Sequence, residues 1–326
     1  MKEFAYQRAV DVPDALIAAD GGARYLGGGT NLVDLMKHGV EAPARLVDVR
    51  HLPLAGVREA PDGGLIIGAT TTNSDLAAHP GVRRRYPALS QAVLAGASGQ
   101  LRNMATVAGN LLQRTRCAYF ASQVCNKRVP GTGCPAVAGE HHNHAILDWT
   151  RSCVATHPSD MAVAMLAFDA VVRYETLDGA GEIPLAEFYP PVGDTPHRET
   201  ALPPGALVTA VTLPGAAASP RSRYRKVRER ASYAFATVSI AAALDLDGGS
   251  VRIALGGVAS RPWRARTAEA LLLGAPLAAE SFRAAADAEL SAAEPLPGNG
   301  YKVTLARNLI VAVLTELADR AKGVHT

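Results

Sequence analysis

The run Leu26-Gly27-Gly28-Gly29-Thr30-Asn31-Leu32 decides how the opening segment of this chain is read. A short apolar strand, Arg24-Tyr25-Leu26, leads into it, and a helical Val33-Asp34-Leu35-Met36-Lys37 follows. Three glycines let a backbone take positive φ and approach a ligand without Cβ clashes. Successive N–H groups then form an anion-binding concavity, to which the following helix adds its positive end. Thr30 and Asn31 add side-chain donors, and the natural target is a pyrophosphate. The spacing is neither G-x-G-x-x-G nor a P-loop, because no Gly-Lys-Ser/Thr follows. Taken alone, the run is equally a tight turn.

Working outward, the first 50 residues read as strand, helix, strand, glycine turn, helix, strand. Val12-Pro13-Asp14 starts the first helix with Asp11 as its cap, and Arg45–Val49 is the last strand. A second unit opens with the strand Gly64–Ala69 and a helix start at Thr72-Asn73-Ser74-Asp75, followed by a small-residue helix over Ala88–Gly99. Pro158-Ser159-Asp160 precedes an apolar helix, Met161–Phe168, and Ala170–Tyr174 is a strand. Glu187–Pro214 is Pro-rich and loop-like, with one strand at Leu207–Leu213. After a linker at Gly215–Pro220, strands are expected at Ser222–Arg228, Thr237–Leu246 and Ser250–Val258. Helices then follow at Ala265–Leu273, Ser281–Leu290 and Thr304–Lys322. This tail reads as an α+β domain with an antiparallel sheet and helices on one side.

All four cysteines, Cys117, Cys125, Cys134 and Cys153, fall in one window with the spacing C-x7-C-x8-C-x18-C. Scattered core cysteines do not gather this way. A zinc ribbon shows tight C-x2-C hooks, which are absent here. Wide, loop-borne spacing suits an iron–sulfur cluster, whose thiolates approach a larger object from several directions. Zinc stays open because His141, His142 and His144 lie in the window, and two disulfides fit the even count.

Thr106-Val107-Ala108-Gly109-Asn110 is a second small, polar turn. With Ser159-Asp160 and the glycine run it could hold one dinucleotide, amides on phosphate and Asp160 on a ribose hydroxyl. Helix capping is the competing role for Asp160. The basic run from Arg221 to Arg230 alternates as a strand, with Tyr224, Lys226, Arg228 and Arg230 on one face. A solvated sheet face competes there with Lys226 reaching an anionic cofactor. Arg83-Arg84-Arg85 reads as a solvated helix end.

At 326 residues the chain has room for two or three domains. Its composition, 48% hydrophobic and 19% charged, is ordinary for a globular protein. A net charge of +3 does not by itself call for a nucleic-acid partner. No apolar run approaches the ~20 residues of a membrane span, and the N-terminus carries no apolar signal segment.

Together these motifs resemble the FAD-binding (medium) subunits of the xanthine dehydrogenase and molybdenum hydroxylase family. The resemblance rests on Leu26–Leu32, Ile67-Gly68-Ala69-Thr70-Thr71, Ala105–Asn110, His157-Pro158-Ser159-Asp160, Tyr224–Arg228 and Ala231-Ser232-Tyr233-Ala234. It covers essentially the whole chain. The cysteine insertion resembles that of the medium subunits of bacterial periplasmic aldehyde oxidoreductases, which carry an additional [4Fe–4S] cluster. The insertion of 4-hydroxybenzoyl-CoA reductase is more distant.

The resemblance implies an α+β fold. Its N-terminal part is a two-subdomain, PCMH/VAO-like FAD-binding region over 1–215, divided near 53, with a cluster insertion at about 113–156. A C-terminal flavoprotein domain covers 221–326. It implies FAD and a [4Fe–4S] cluster as cofactors, the latter on the four cysteines. Leu26, Gly27, Gly28, Gly29, Thr30, Asn31 and Leu32 would wrap the pyrophosphate. Ala97, Thr106, Gly109, Asn110, Ser159 and Asp160 would line the rest of the cleft, and Lys226 would approach the isoalloxazine. Tyr233 would pack near that ring. Gln113-Arg114-Thr115 departs from the family's short Ser/Thr-rich turn. No catalytic acid or base is expected, because the organic substrate belongs to another chain. The implied partners are a small subunit with two [2Fe–2S] clusters, a large molybdenum-cofactor subunit and an external acceptor. A reductive medium subunit and a zinc-stapled scaffold without flavin are the alternatives. The compartment is cytoplasmic, or periplasmic by co-export with a signal-bearing partner.

Overall fold

The computed structural model describes residues 1–245 and 249–321; the expectations for Leu246 and Lys322 fall outside them. The chain begins with a small parallel sheet. Strands β1 (Ala5–Arg8), β2 (Arg24–Leu26) and β3 (Arg45–Asp48) lie in the order β1-β3-β2. The crossover helix Val12–Ala19 is capped as expected, Asp11 accepting the Asp14 N–H at 2.8 Å, and it packs Ala15 and Leu16 against Val47 and Val49.

The second sheet has five strands. They are β4 (Val57–Glu59), β5 (Leu65–Gly68), β6 (Val171–Thr176), β7 (Gly179–Pro184) and β8 (Leu207–Leu213), in the order β4-β5-β8-β6-β7, all neighbours antiparallel. Leu65, Ile67, Val172, Val211 and Leu213 share a core with Leu76, Leu89, Met161 and Met165 of the covering helices. The third sheet, β9 (Ser222–Val227), β10 (Val238–Asp245), β11 (Ser250–Gly256) and β12 (Trp263–Arg264), is antiparallel in the order β12-β11-β10-β9.

The helix Asp160–Ala167 is buried along its whole length, packed between the helices of the second unit and strands β10 and β11. That explains an apolar pattern with no polar face. Strand β10 is likewise buried on both faces. Ala241 and Ala243 turn to this helix, whereas Ile240, Ala242 and Leu244 join Phe282, Ile310 and Val313 of the C-terminal helices. The alanines let a strand and a helix approach closely enough to leave no void.

The insertion between residues 113 and 156 carries little regular structure, one short helix at Ala118–Ser122 and a 3-10 turn. Its contacts reach all three units. Arg114 pairs with Glu41 and, at 2.6 Å, with Glu199, and Lys127 pairs with Glu199 at 2.8 Å. The Ile146 N–H donates to Val258 O, and Trp149 Nε1–H to Glu294 O at 2.7 Å. No helix among the described residues is long and apolar enough to cross a membrane.

Candidate cofactor site

The three glycines are required for different reasons. A Cβ on Gly28 would lie 1.7 Å from the Met104 carbonyl oxygen, and one on Gly27 would lie 2.8 Å from Thr106 Oγ1. Gly29 has φ +73°, the left-handed region that L side chains avoid. The run is therefore pressed against segment 104–106, whose Thr106 hydroxyl caps the helix Val107–Leu111 by accepting the Gly109 N–H at 3.2 Å.

Between these turns, the helix Asp160–Ala167 and strand β9 lies a cleft of about 560 Å³. Gly29, Thr30, Asn31, Ala97, Gly109, Asn110, Asp160 and Lys226 all line it. Leu26, Gly27, Gly28, Leu32 and Thr106 do not; they shape the wall from behind. Ser159 faces an adjoining chamber of about 530 Å³, which shares Arg116, Pro158, Asp160, Ala234 and Phe235 with the cleft. The structure adds Asn73, Arg102, Arg116, Arg230 and Phe235 to the lining. Only Arg230, in the basic run, carried a local signal. Ala97 (φ +50°) and Tyr233 (φ +55°), both at the cleft, hold backbone conformations that cost a non-glycine residue energy.

Asp160 is the centre of the polar network, and its role differs from a cap. Ser159 is the cap, its Oγ accepting the Ala162 N–H at 2.9 Å, while Asp160 is the first helical residue. Asp160 Oδ1 accepts from Tyr224 Oη at 2.5 Å and Oδ2 from Lys226 Nζ at 2.7 Å. Lys226 and Asp160 are both almost wholly buried. Burial and the adjacent carboxylate push the Tyr224 hydroxyl well above its usual range, so it stays protonated and donates. Lys226 Nζ and Arg228 Nη1 also reach the Ala95 carbonyl, at 3.3 and 3.0 Å.

The basic run is thus split by its strand. Tyr224 and Lys226 face Asp160, whereas Arg223 and Arg225 face Glu316 of the helix Tyr301–Ala321 at 3.2 and 3.8 Å. The Tyr224–Lys226 side is not solvated, whereas on the other side Arg225 is exposed even though it pairs with Glu316. Strand β9 ends at Val227, so Arg228 and Arg230 are not on its face but on the loop beyond. Arg85, expected at a solvated helix end, binds Glu59 at 3.1 Å.

The cleft fits a dinucleotide. Asn31 spends its Oδ1 on the Arg114 N–H at 2.9 Å, leaving its buried Nδ2 without a protein partner, and Asn73 Oδ1 is also unpartnered. Buried amide atoms of this kind mark where a ligand's polar groups belong.

The four cysteines line one small cavity, together with Phe120, Lys127 and Pro135. They are free thiols, not disulfides. Cys134 and Cys153 share a hydrogen bond that pulls the Cys134 thiol down to about 6 and pushes the Cys153 thiol up; burial raises Cys117. Among the described residues no three His, Cys, Asp or Glu side chains close on a single ion. Two of the window's three histidines lie elsewhere. His141 spans Ala136 O and Gly298 N–H, and His142 binds Glu229 at 2.9 Å and stacks on Tyr301. His144 Nε2 lies 3.2 Å from Cys117 Sγ.

Comparison with known proteins agrees with this architecture. Residues 2–216 match the model of the FAD binding domain in molybdopterin dehydrogenase. Residues 222–317 match that of the CO dehydrogenase flavoprotein C-terminal domain. The chain is 51% identical to the Escherichia coli K12 aldehyde oxidoreductase FAD-binding subunit PaoB, over 98% of this chain and 100% of that protein. It is 26% identical to the carbon monoxide dehydrogenase medium chain of Hydrogenophaga pseudoflava, over 96% of this chain and 95% of that one. The solved carbon monoxide dehydrogenase from H. pseudoflava superposes with a TM-score of 0.75, at 26% identity and 98% coverage of both chains. The chain therefore belongs to the family of FAD-binding medium subunits of molybdenum hydroxylase oxidoreductases, with the fold of the CO dehydrogenase medium chain.

Proposed function

We propose that this chain is the FAD-carrying electron-transfer subunit of a molybdenum-dependent aldehyde oxidoreductase, and that it also holds a [4Fe–4S] cluster on Cys117, Cys125, Cys134 and Cys153. The observation that carries the flavin part is the cleft itself. A glycine turn, two unpartnered amide atoms and a buried Asp160–Lys226 pair from separate units converge there. Similarity to PaoB over the full chain supports the aldehyde. Four thiols line one cavity while, among the described residues, no three ligand side chains close on a single ion, and the spacing lacks C-x2-C hooks; both favour the larger cluster over a zinc staple.

When bound, FAD supplies one- and two-electron redox chemistry, and an iron–sulfur cluster supplies one-electron chemistry. The chain's own task is to bind and orient. Gly29, Thr30 and Asn31 would hold the pyrophosphate by backbone and side-chain donors. Lys226 lines the cleft and is paired with Asp160, the acid shared by cleft and chamber, and its donors lie where a bound cofactor would meet them. Tyr233 and Phe235, both exposed, stand at the cleft mouth against Arg230 and Arg116. The reading calls for a small subunit with two [2Fe–2S] clusters, a large molybdenum-cofactor subunit that binds the aldehyde, and an external acceptor.

Anaerobic addition of an aldehyde to the assembled complex tests it. The flavin's visible band should bleach and return when an acceptor is added. A complex that oxidises aldehyde while its flavin band stays unchanged contradicts the assignment.

A further inference from the structure

We infer that His144 is a positioning residue for the cysteine cavity, donating its Nε2–H to the Cys117 sulfur and thereby raising the reduction potential of the group held there. This rests on the cluster reading above.

The geometry begins with the 3.2 Å approach of His144 Nε2 to Cys117 Sγ. A ligating thiolate only accepts, so this nitrogen carries the proton. Nδ1 is buried without a protein partner, so no second hydrogen bond competes for the ring's orientation. The backbone beneath the ring is pinned. The His144 N–H donates to His141 O at 3.0 Å, and its carbonyl accepts Lys302 Nζ at 2.8 Å and Asn299 Nδ2 at 3.2 Å. Lys302 is itself fully buried on the C-terminal helix and also reaches Gly257 O. The ring is thus held from the C-terminal unit while the sulfur it touches belongs to the insertion.

Cys117 is the cysteine at which this matters most. It lines the small cavity with the other three, and it alone of the four also lines the 530 Å³ chamber that adjoins the flavin cleft. A reduced cluster carries one more negative charge than an oxidised one. A donor to a ligating sulfur stabilises that added charge and moves the potential upward.

The test is an EPR-monitored redox titration of the assembled complex, with iron and acid-labile sulfide assayed on each sample. His144→Phe keeps a planar ring and removes the donor; His144→Gln keeps a donor. The midpoint potential should fall in His144→Phe and return part of the way in His144→Gln. Loss of iron in the Phe variant alone also supports the donor. An unchanged potential in a cluster-loaded His144→Phe overturns the inference, as does loss of iron in both variants, which would make the ring a ligand or a strut. A wild-type complex with only about four irons and four sulfides per flavin, the number that two [2Fe–2S] clusters alone supply, would instead sink the cluster reading itself.

Discussion

The flavin cleft and the cysteine cavity are linked by the chamber between them, which shares Arg116 with the one and Cys117 with the other, yet different parts of the chain build them. Regular elements frame the cleft. Strand β9, the buried helix Asp160–Ala167, the glycine turn and the Thr106-capped turn present groups whose positions are fixed by the sheet register and by the Asp160 network. The cavity is framed by loops, with one five-residue helix, and its wall is tied to three units by long-range pairs such as Arg114–Glu199 and Trp149–Glu294. One site is preorganised by the fold. The other consists of four thiols on a long connection, and such a connection keeps its shape only when something holds it.

The contrast predicts unequal responses to mutation. The largest effect is expected for Asp160→Ala. It would strand the buried Lys226 ammonium and Tyr224 hydroxyl, and breaking a buried pair in this way costs about 3–5 kcal/mol. Flavin content and thermal unfolding of the purified complex report it. Unchanged flavin content would show that the network does not build the cleft. Lys226→Met should cost less, because Asp160 keeps the Tyr224 hydroxyl.

Cys117→Ser should act the other way round. With Cys117 a cluster ligand as proposed, its removal should lower the yield of folded, iron-containing chain several-fold while the flavin-loaded fraction still turns over, as expected of a staple. Equal flavin loading with collapsed turnover would instead make the cavity part of the electron path.

Gly28→Ala should sharpen the comparison within the cleft. Its Cβ would collide with Met104 O, parting two turns at a cost of about 1–3 kcal/mol and weakening FAD retention. Gly27→Ala meets only the Thr106 hydroxyl, at 2.8 Å, and should cost less. A reversed order in an FAD-binding titration would place the pyrophosphate elsewhere.

The last effect is absent at neutral pH and develops only in acid. Burial lowers His157, between the two sites, to about 3. The unfolded chain takes up this proton first, near ~6.5. Its contribution is therefore complete above that value and is lost as the pH falls toward about 3, by at most about 1.4 kcal/mol per pH unit. His157→Phe should flatten that acid limb in denaturant titrations. An unaltered slope would mean that His157 titrates normally.

Much of the fold was legible because its signals are local. The opening strand–helix–strand–turn–helix–strand order, the Asp11 cap and the buried helix after Ser159 all follow from short patterns. Strands β4 and β7 carried no such signal. They are the two edge strands of their sheet, and β7, Gly179–Pro184, is mostly exposed and carries two glycines, a proline and a single β-branched residue, Ile183, too little to mark a strand. The glycine run and Asp160 announced the cleft, but the part Asp160 plays was hidden. Its partners Tyr224 and Lys226 stand more than 60 residues away, and the adjacent Ser159 took the cap. Asn73 and Arg102 reach the cleft from short helices whose sequence shows only helix starts and ends. The division of the arginines depends on Glu316, some 90 residues downstream.

The most direct test is the visible spectrum of the assembled complex, with iron, zinc and acid-labile sulfide assayed on the same sample. Flavin bands are expected with about eight irons and eight sulfides per flavin, four of each on this chain and four on the small subunit's two [2Fe–2S] clusters. Flavin with zinc and only about four irons and four sulfides would leave the cleft assignment standing and turn the cysteine cavity into a zinc staple. An intact complex with no flavin would contradict the assignment of the cleft.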